Sequence, residues 1–218
     1  RPRIGKPEIM PVSQVKKGMQ AIAWTVFEGS EPEAVPVEII GVWKNANGPK
    51  TDVILGRMGG RAQRTNVAGG MSGSPVYVDG KLIGAIALRL SFFSPDAICG
   101  ITPIEDMLEI NELDQSKPQQ RASVEIPAEL LGGTSMPAGI PAGQSLLMQP
   151  IDTPLMMAGA HPDAFPYFGG IFKNQGVQLV QGGATAALKS TTLAPDWKSS
   201  LRPGDTVSMI LVSGDINI

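Results

Sequence analysis

Short apolar runs, separated by turns rich in Gly, Pro, Asn and Asp, dominate the first half of the chain. The runs are enriched in β-branched and aromatic residues, which favours strands over helices. Asp79 and Gly80 separate two of the runs, and an Asp-Gly pair supplies the positive φ angles that a two-residue hairpin turn requires. The pattern therefore predicts strands at 21–27, 35–40, 52–55, 76–78 and 81–83.

One helix is clearly marked by its start signals. Thr102 suits the N-cap position, Pro103 suits the first helical position, and Glu105 completes a capping box with Thr102. A helix is therefore predicted over 102–113.

The composition changes in the middle of the chain. Residues 114–127 are polar and poor in apolar side chains, which predicts a linker. Residues 128–218 then form a second, β-rich module, with strands predicted at 177–180 and 207–212 and turns at 202–205 and 213–215. Because Ile218 falls in a strand-like alternation, the module is expected to be incomplete and the parent chain to continue.

Charge and composition exclude several classes of function. The 218 residues carry a net charge of −2, so no basic field favours binding to nucleic acid. No apolar run approaches the roughly 20 residues that span a membrane. One cysteine, Cys99, and one histidine, His161, argue against an internal disulfide and against Cys- or His-based metal sites. No cofactor is predicted.

The densest chemical signal is the segment Gly69-Gly-Met-Ser-Gly-Ser-Pro75, which leads directly into the predicted hairpin. Such a segment can be an ordinary surface turn. It can also be a nucleophile loop, because glycines allow neighbouring N–H groups to point at one spot beside a displayed serine hydroxyl. Those N–H groups would then form an oxyanion hole for acyl transfer.

Residues 70–85, Gly-Met-Ser-Gly-Ser-Pro-Val-Tyr-Val-Asp-Gly-Lys-Leu-Ile-Gly-Ala, resemble the active-site segment of the SpoIVB-type serine peptidases, the family of sporulation stage IV protein B. Residues 100–108 and 11–19 are similar to other parts of that family, so the resemblance spans roughly 11–113. It implies a chymotrypsin-like β-barrel closed by the helix near 102–113. It also implies a polypeptide substrate and an extracytoplasmic bacterial location. Ser72 would be the nucleophile, with the N–H groups of Gly70 and Ser72 as the oxyanion hole.

The sequence departs from the family pattern at the other catalytic positions. The family pairs its serine with a histidine, but no histidine precedes Ser72 here. His161 lies downstream, beyond the linker, where it is either a base brought back by the fold or a bystander; we favour the bystander. The position of the family's acid corresponds to Arg57, and Asp52 is the nearest acidic alternative.

The sequence therefore predicts a serine endopeptidase, or the serine-bearing fragment of one, that forms an acyl-enzyme on Ser72. The missing histidine is expected to come from a second polypeptide segment, a continuation of the chain after Ile218, separated by self-cleavage, by another protease or by the choice of the segment expressed. Two alternatives stay open. One is a protease-like module that binds protein without cleaving it, and the other is a structural subunit whose Gly-rich segment is only a turn.

Overall fold

The computed structural model describes residues 2, 5–46, 48–91, 94–109, 123–132, 146–173, 177–182, 197–209, 211 and 218. Six antiparallel strands of the first half close into a barrel in the order β4-β1-β2-β3-β6-β5, with β5 pairing back onto β4. The predicted mainly β fold with a barrel is thereby confirmed. The strands are β1 (Gln20–Thr25), β2 (Glu33–Trp43), β3 (Val53–Met58), β4 (Pro75–Val78), β5 (Lys81–Leu90) and β6 (Ala97–Pro103).

Two apolar clusters pack on opposite faces of the barrel wall. In β2, Val35, Val37 and Ile39 alternate with more exposed residues and belong to the first cluster. A β-bulge between Ile39 and Gly41 changes this phase, so Ile40 and Trp43 belong to the second cluster instead. A bulge has this effect because successive side chains of a strand point to opposite faces. The wall is therefore buried on both sides along part of its length, as the fully buried β6 shows.

Two further strands extend the barrel sheet. β8 (Leu147–Pro150) pairs with the second half of β5, and β7 (Val124–Glu125) pairs with β8. Val124 and Glu125 fall within the predicted linker 114–127, so the described end of that segment belongs to the sheet. Residues 114–122 lie outside the described residues. A 3₁₀ turn, Ala128–Leu131, follows β7.

The second half adds a unit in which β9 (Thr153–Met157) and β10 (Val177–Gln181) run parallel, with α3 (Ala164–Lys173) between them in sequence. The strand predicted at 177–180 is thereby confirmed. The one predicted at 207–212 is wrong for residues 207–209 and 211, which form no strand and expose Val207 and Met209. The turn at 202–205 is confirmed, because the Asp205 N–H donates to Arg202 O, whereas 213–215 lies outside the described residues.

The helix after β6 begins later than its signals suggest. The predicted helix is confirmed for α2, Ile104–Glu109, but Thr102 and Pro103, predicted as its N-cap and first residue, are the last two residues of β6. The Glu105 carboxylate instead accepts a hydrogen bond from the Val12 N–H at 2.8 Å, which holds the N-terminal segment on the barrel. Residues 110–113 are not described. Two short helices are α1 (Ala62–Thr65) and α4 (Trp197–Ser200).

The predicted Asp-Gly hairpin is confirmed. Asp79 has φ +48 and Gly80 has φ +78, and antiparallel β4 and β5 flank them. Two successive positive φ angles are typical of the turn that matches the twist of paired strands. In the part of the chain that the structure describes, no helix has the length and apolar character needed to cross a membrane.

Cys99 lies in the first apolar cluster and is fully buried. Burial raises the pKa of its thiol to about 12, although backbone hydrogen bonds at Cys99 and Gly56 act in the opposite direction. A raised pKa keeps the thiol protonated in the folded state. The contribution of this thiol to the free energy of unfolding is therefore fully present below the ordinary pKa of a thiol. It is lost as the pH rises through about 12, because the unfolded chain ionises at a lower pH than the folded one.

We therefore expect Cys99 to be inert toward Ellman's reagent in the folded protein at pH 8, because a thiolate has to attack the disulfide of the reagent and the buried thiol stays protonated. One thiol should react as soon as denaturant unfolds the chain. Rapid reaction of one equivalent under native conditions would contradict the buried position of Cys99.

Candidate active site

The Gly-rich loop, residues 69–75, is fixed by backbone hydrogen bonds to β5. The Gly73 N–H donates to Ile86 O at 2.8 Å, and the Ile86 N–H donates to Ser74 O at 2.9 Å. Gly70 and Gly73 have φ angles of +89 and +87, which few other residues adopt without strain. The glycines therefore allow a sharp turn that is anchored at one end of the barrel.

The two serines of the loop have different environments. Ser74 is buried, and its hydroxyl donates a hydrogen bond of 2.8 Å to the Thr25 Oγ1 of β1. Met71 is also buried, whereas Ser72 is exposed. The loop is thus held by Met71 and Ser74, and it presents the hydroxyl-bearing side chain of Ser72 at the surface.

Two backbone donors next to Ser72 are available to a ligand. The N–H groups of Gly70 and Ser72 donate no hydrogen bond to any residue in the described part of the chain. A bound carbonyl oxygen that gains negative charge can accept hydrogen bonds from unused backbone donors beside the nucleophile. These are the two N–H groups that the resemblance assigns to an oxyanion hole.

Ser72 lies in a cleft of about 270 Å³. One wall is the Gly-rich loop itself, a second is the end of β1, and a third comes from the far end of the chain. The lining residues are Trp24, Val26, Gly70, Ser72, Gly73, Ser74, Gly204, Asp205, Thr206 and Val207. The cleft therefore combines a displayed hydroxyl group, a carboxylate and apolar side chains.

The third wall is placed by the turn at 202–205. Gly204 has φ +90 and packs so closely on the barrel that a Cβ there would lie 3.1 Å from the Trp24 Cβ and 3.2 Å from the Pro32 Cβ. The Asp205 carboxylate accepts a hydrogen bond of 2.7 Å from the Arg202 N–H. Sequence reasoning identified the turn but missed its place in the cleft, because nothing local in the sequence connects it with Ser72.

His161 is not among the residues that line the cleft. Its side chain is 77% exposed, and its Nδ1 accepts a hydrogen bond of 3.3 Å from the Asp163 N–H. The described lining of the cleft contains no histidine at all. This placement favours the bystander interpretation of His161 over a role as the base.

Asp52 lies near the opposite end of β2 from the Gly-rich loop. Thr25 pairs with Glu33 at the start of β2, whereas Trp43 at its end pairs with Val53, next to Asp52. At about 3.3 Å per residue, the two ends of this strand are roughly 30 Å apart along its path. The structure therefore does not bring Asp52 to Ser72.

The surroundings of Asp52 explain a structural role. Burial acts to raise the pKa of its carboxyl group, but the Lys44 ammonium group and the Asn45 N–H bind the carboxylate and lower the pKa overall. Asp52 is therefore ionised, and its contacts with Lys44 and Asn45 stabilise the connection between β2 and β3.

Arg57, which the resemblance places at the acid position, donates a hydrogen bond of 2.8 Å to Glu38 and lies 3.6 Å from an oxygen of Asp96. It is thus part of an ion-pair group on the barrel and not of the cleft.

Comparisons of the chain with protein-family models, with curated proteins and with solved structures gave no match. Within the described residues, no group of three or more His, Cys, Asp or Glu side chains is arranged to hold a metal ion. What this site can do is therefore inferred from its own residues.

Proposed function

We propose that this chain is the serine-bearing part of a chymotrypsin-like serine endopeptidase that forms an acyl-enzyme on Ser72. The observation that carries the proposal is the exposed Ser72 in a cleft, beside the unused N–H donors of Gly70 and Ser72. The resemblance of residues 70–85 to the SpoIVB-type peptidases supports it, and with it an extracytoplasmic location.

In this reaction the Ser72 Oγ attacks the carbonyl carbon of the scissile bond while a base takes the hydroxyl proton. The carbonyl oxygen becomes an oxyanion, which accepts hydrogen bonds from the Gly70 and Ser72 N–H groups. The C–N bond then breaks, the base returns the proton to the leaving amine, and the acyl group stays on Ser72. Water, deprotonated by the same base, hydrolyses the ester.

The base is assigned to a histidine from a second polypeptide segment, because the described cleft residues include none. Asp205 is the carboxylate that lines the cleft. We therefore assign to Asp205, rather than to Asp52, the task of orienting the incoming imidazole.

A second candidate function is a protein-binding module that keeps the cleft but cleaves nothing. The observation that favours it is the same lack of a histidine in the described lining, together with the involvement of the Asp205 carboxylate with the Arg202 N–H. Such a module would bind polypeptide in the cleft through Trp24, Val26 and Val207.

The test is labelling by a fluorophosphonate, with imidazole added in solution to replace the missing base. We expect Ser72 to be phosphonylated and imidazole to accelerate the reaction about 10-fold or more, as general bases do. Ser72→Ala should abolish labelling. The matched variant Ser74→Ala should keep it and lose only about 1–2 kcal/mol of stability, from the hydrogen bond to Thr25.

Two results would overturn the endopeptidase proposal. One is the absence of labelling in a folded chain with imidazole present, which favours the binding module. The other is labelling that persists in Ser72→Ala, which would place the reactive group elsewhere. Circular dichroism of each variant establishes that it is folded.

A further inference from the structure

A second cavity, of about 530 Å³, lies where the β9–α3–β10 unit meets β5 of the barrel and the added strand β8. Nothing in the serine chemistry uses it. Its polar lining comes from all of these elements or their immediate neighbours, and Phe165 of α3 supplies an apolar surface. The polar side chains are Arg89, Gln149, Asp152, Lys173 and Gln178.

The cavity carries a positive charge in a chain whose net charge is −2. Arg89 and Lys173 are cationic, and Asp152 is the one carboxylate in the described lining. Arg89 donates to the Asp152 carboxylate at 2.9 Å through a single nitrogen. Lys173 forms no ion pair with any described residue. One positive charge is therefore left uncompensated.

Several hydrogen-bond donors in the cavity are unused. Arg89 has five N–H donors, and only the one on Asp152 is engaged by a described residue. The side-chain amides of Gln149 and Gln178 likewise make no hydrogen bond within the described part of the chain. Guanidinium, ammonium and amide donors around an apolar surface are the groups that recognise a carboxylate on an aliphatic stem.

The cavity and the Ser72 cleft come close to each other at the adjacent residues Gly69 and Gly70. A Cβ on Gly69 would lie 3.4 Å from Asp152 O and 3.5 Å from the Gln178 Oε1, both in residues that line the cavity. Gly70, the next residue, lines the cleft together with Ser72. A polypeptide that lies across this loop can therefore contact both places.

We propose that this cavity binds a carboxylate group of the polypeptide that occupies the Ser72 cleft. The identity of the occupant, a polypeptide in the Ser72 cleft, rests on the proposed function. The preference for a carboxylate rests on Arg89, Lys173 and the side-chain amides of Gln149 and Gln178. The carboxylate has two sources, an acidic side chain within the polypeptide and the C-terminus of the polypeptide.

The test measures binding of fluorescent peptides to the Ser72→Ala variant, so that turnover plays no part. Three peptides differ only in the carboxylate: an internal Glu with an amidated C-terminus, Gln with an amidated C-terminus, and Gln with a free C-terminus. A carboxylate hydrogen-bonded to charged donors should improve affinity about 10-fold over the amidated Gln peptide. The peptide that gains affinity identifies the source.

Variants of the cavity should reduce this preference. Lys173→Gln is expected to weaken binding of the preferred peptide about 3-fold, since the lost charge is exposed. Arg89→Lys keeps the charge beside Asp152 but removes the planar fork, and it should weaken binding about 5-fold. Lys17→Gln, the same change at an exposed lysine in the turn before β1, is the matched control and should bind normally.

Equal affinity for the three peptides, or an equal loss in Lys17→Gln and Lys173→Gln, would overturn the inference. Its failure is distinct from failure of the proposed function. If Ser72 is labelled by the fluorophosphonate but the peptides show no carboxylate preference, the assignment of Ser72 as nucleophile stands and the carboxylate site is wrong. A carboxylate preference without labelling keeps the cavity site and makes the chain a binding module.

Discussion

Gly84→Ala should lower the free energy of unfolding by about 3 kcal/mol or more, the upper end of what overpacking costs. Gly84 lies in β5, opposite Val76 of β4 on one side and Pro103 of β6 on the other, where the barrel closes. A Cβ at this position would lie 2.1 Å from Thr102 O and 2.9 Å from Ile101 Cγ2. Because the nearer atom belongs to the backbone, no rotamer change can relieve the overlap, and the β5–β6 ladder has to separate.

The matched control is Gly41→Ala in β2. Gly41 is also a strand glycine without a positive φ, but the one contact that its Cβ would make is with Leu130 Cδ2 at 3.9 Å. Urea denaturation should show Gly41→Ala within about 0.5 kcal/mol of the parent chain. An equal loss in the two variants would mean that Gly84 is not confined by β6.

Gly70→Ala should reduce the rate of phosphonylation of Ser72 by about 100-fold, the effect of losing one oxyanion donor. Gly70 has φ +89, which strains an alanine. We expect the strain to relax by rotation of the peptide group between Gly69 and Gly70, which carries the Gly70 N–H. The space for the methyl group itself is adequate, since the nearest atom is Pro154 Cγ at 3.7 Å.

Gly18→Ala is the control that separates the effect of backbone strain on stability from an effect on the rate of phosphonylation. Gly18 has φ +87, and a Cβ there would meet nothing within 4 Å. The two variants should therefore lose a similar stability, about 1 kcal/mol, while the rate should fall in Gly70→Ala alone. Rates that fall together, or a Gly70→Ala chain that reacts at the parent rate, would remove Gly70 from the oxyanion hole.

Local patterns predicted the parts of the fold that depend on neighbours in sequence. The Asp79-Gly80 turn was found because its two residues set their own φ angles. Five of the six barrel strands were found, because short apolar, β-branched runs mark them, whereas β6 was not predicted and its last two residues were assigned to the helix. Their boundaries were less accurate: β2 runs to Trp43 rather than to residue 40, because the bulge after Ile39 changes the phase of the alternation.

Features that depend on distant contacts were missed. Thr102 has every sign of an N-cap, but pairing of β6 with its neighbours keeps it in a strand, and Glu105 bonds to Val12 instead. The parallel pairing of β9 with β10 and the docking of Gly204 on Trp24 have no local signal either. The candidate site follows the same division, since the Gly-rich loop was visible in the sequence and the contribution of Asp205 was not.

The order of strands around the barrel has a consequence for the rate at which the chain folds. β1, β2 and β3 follow one another in sequence and pair as neighbours. The contacts that complete the cylinder, β1 with β4 and β3 with β6, instead join residues roughly 50 positions apart, and such loops are slow to close. The three-stranded meander is therefore expected to form first, with β4, β5 and β6 adding in a later, rate-limiting step on a scale of milliseconds to seconds. Ser72, which lies just before β4, takes its final position in that last step.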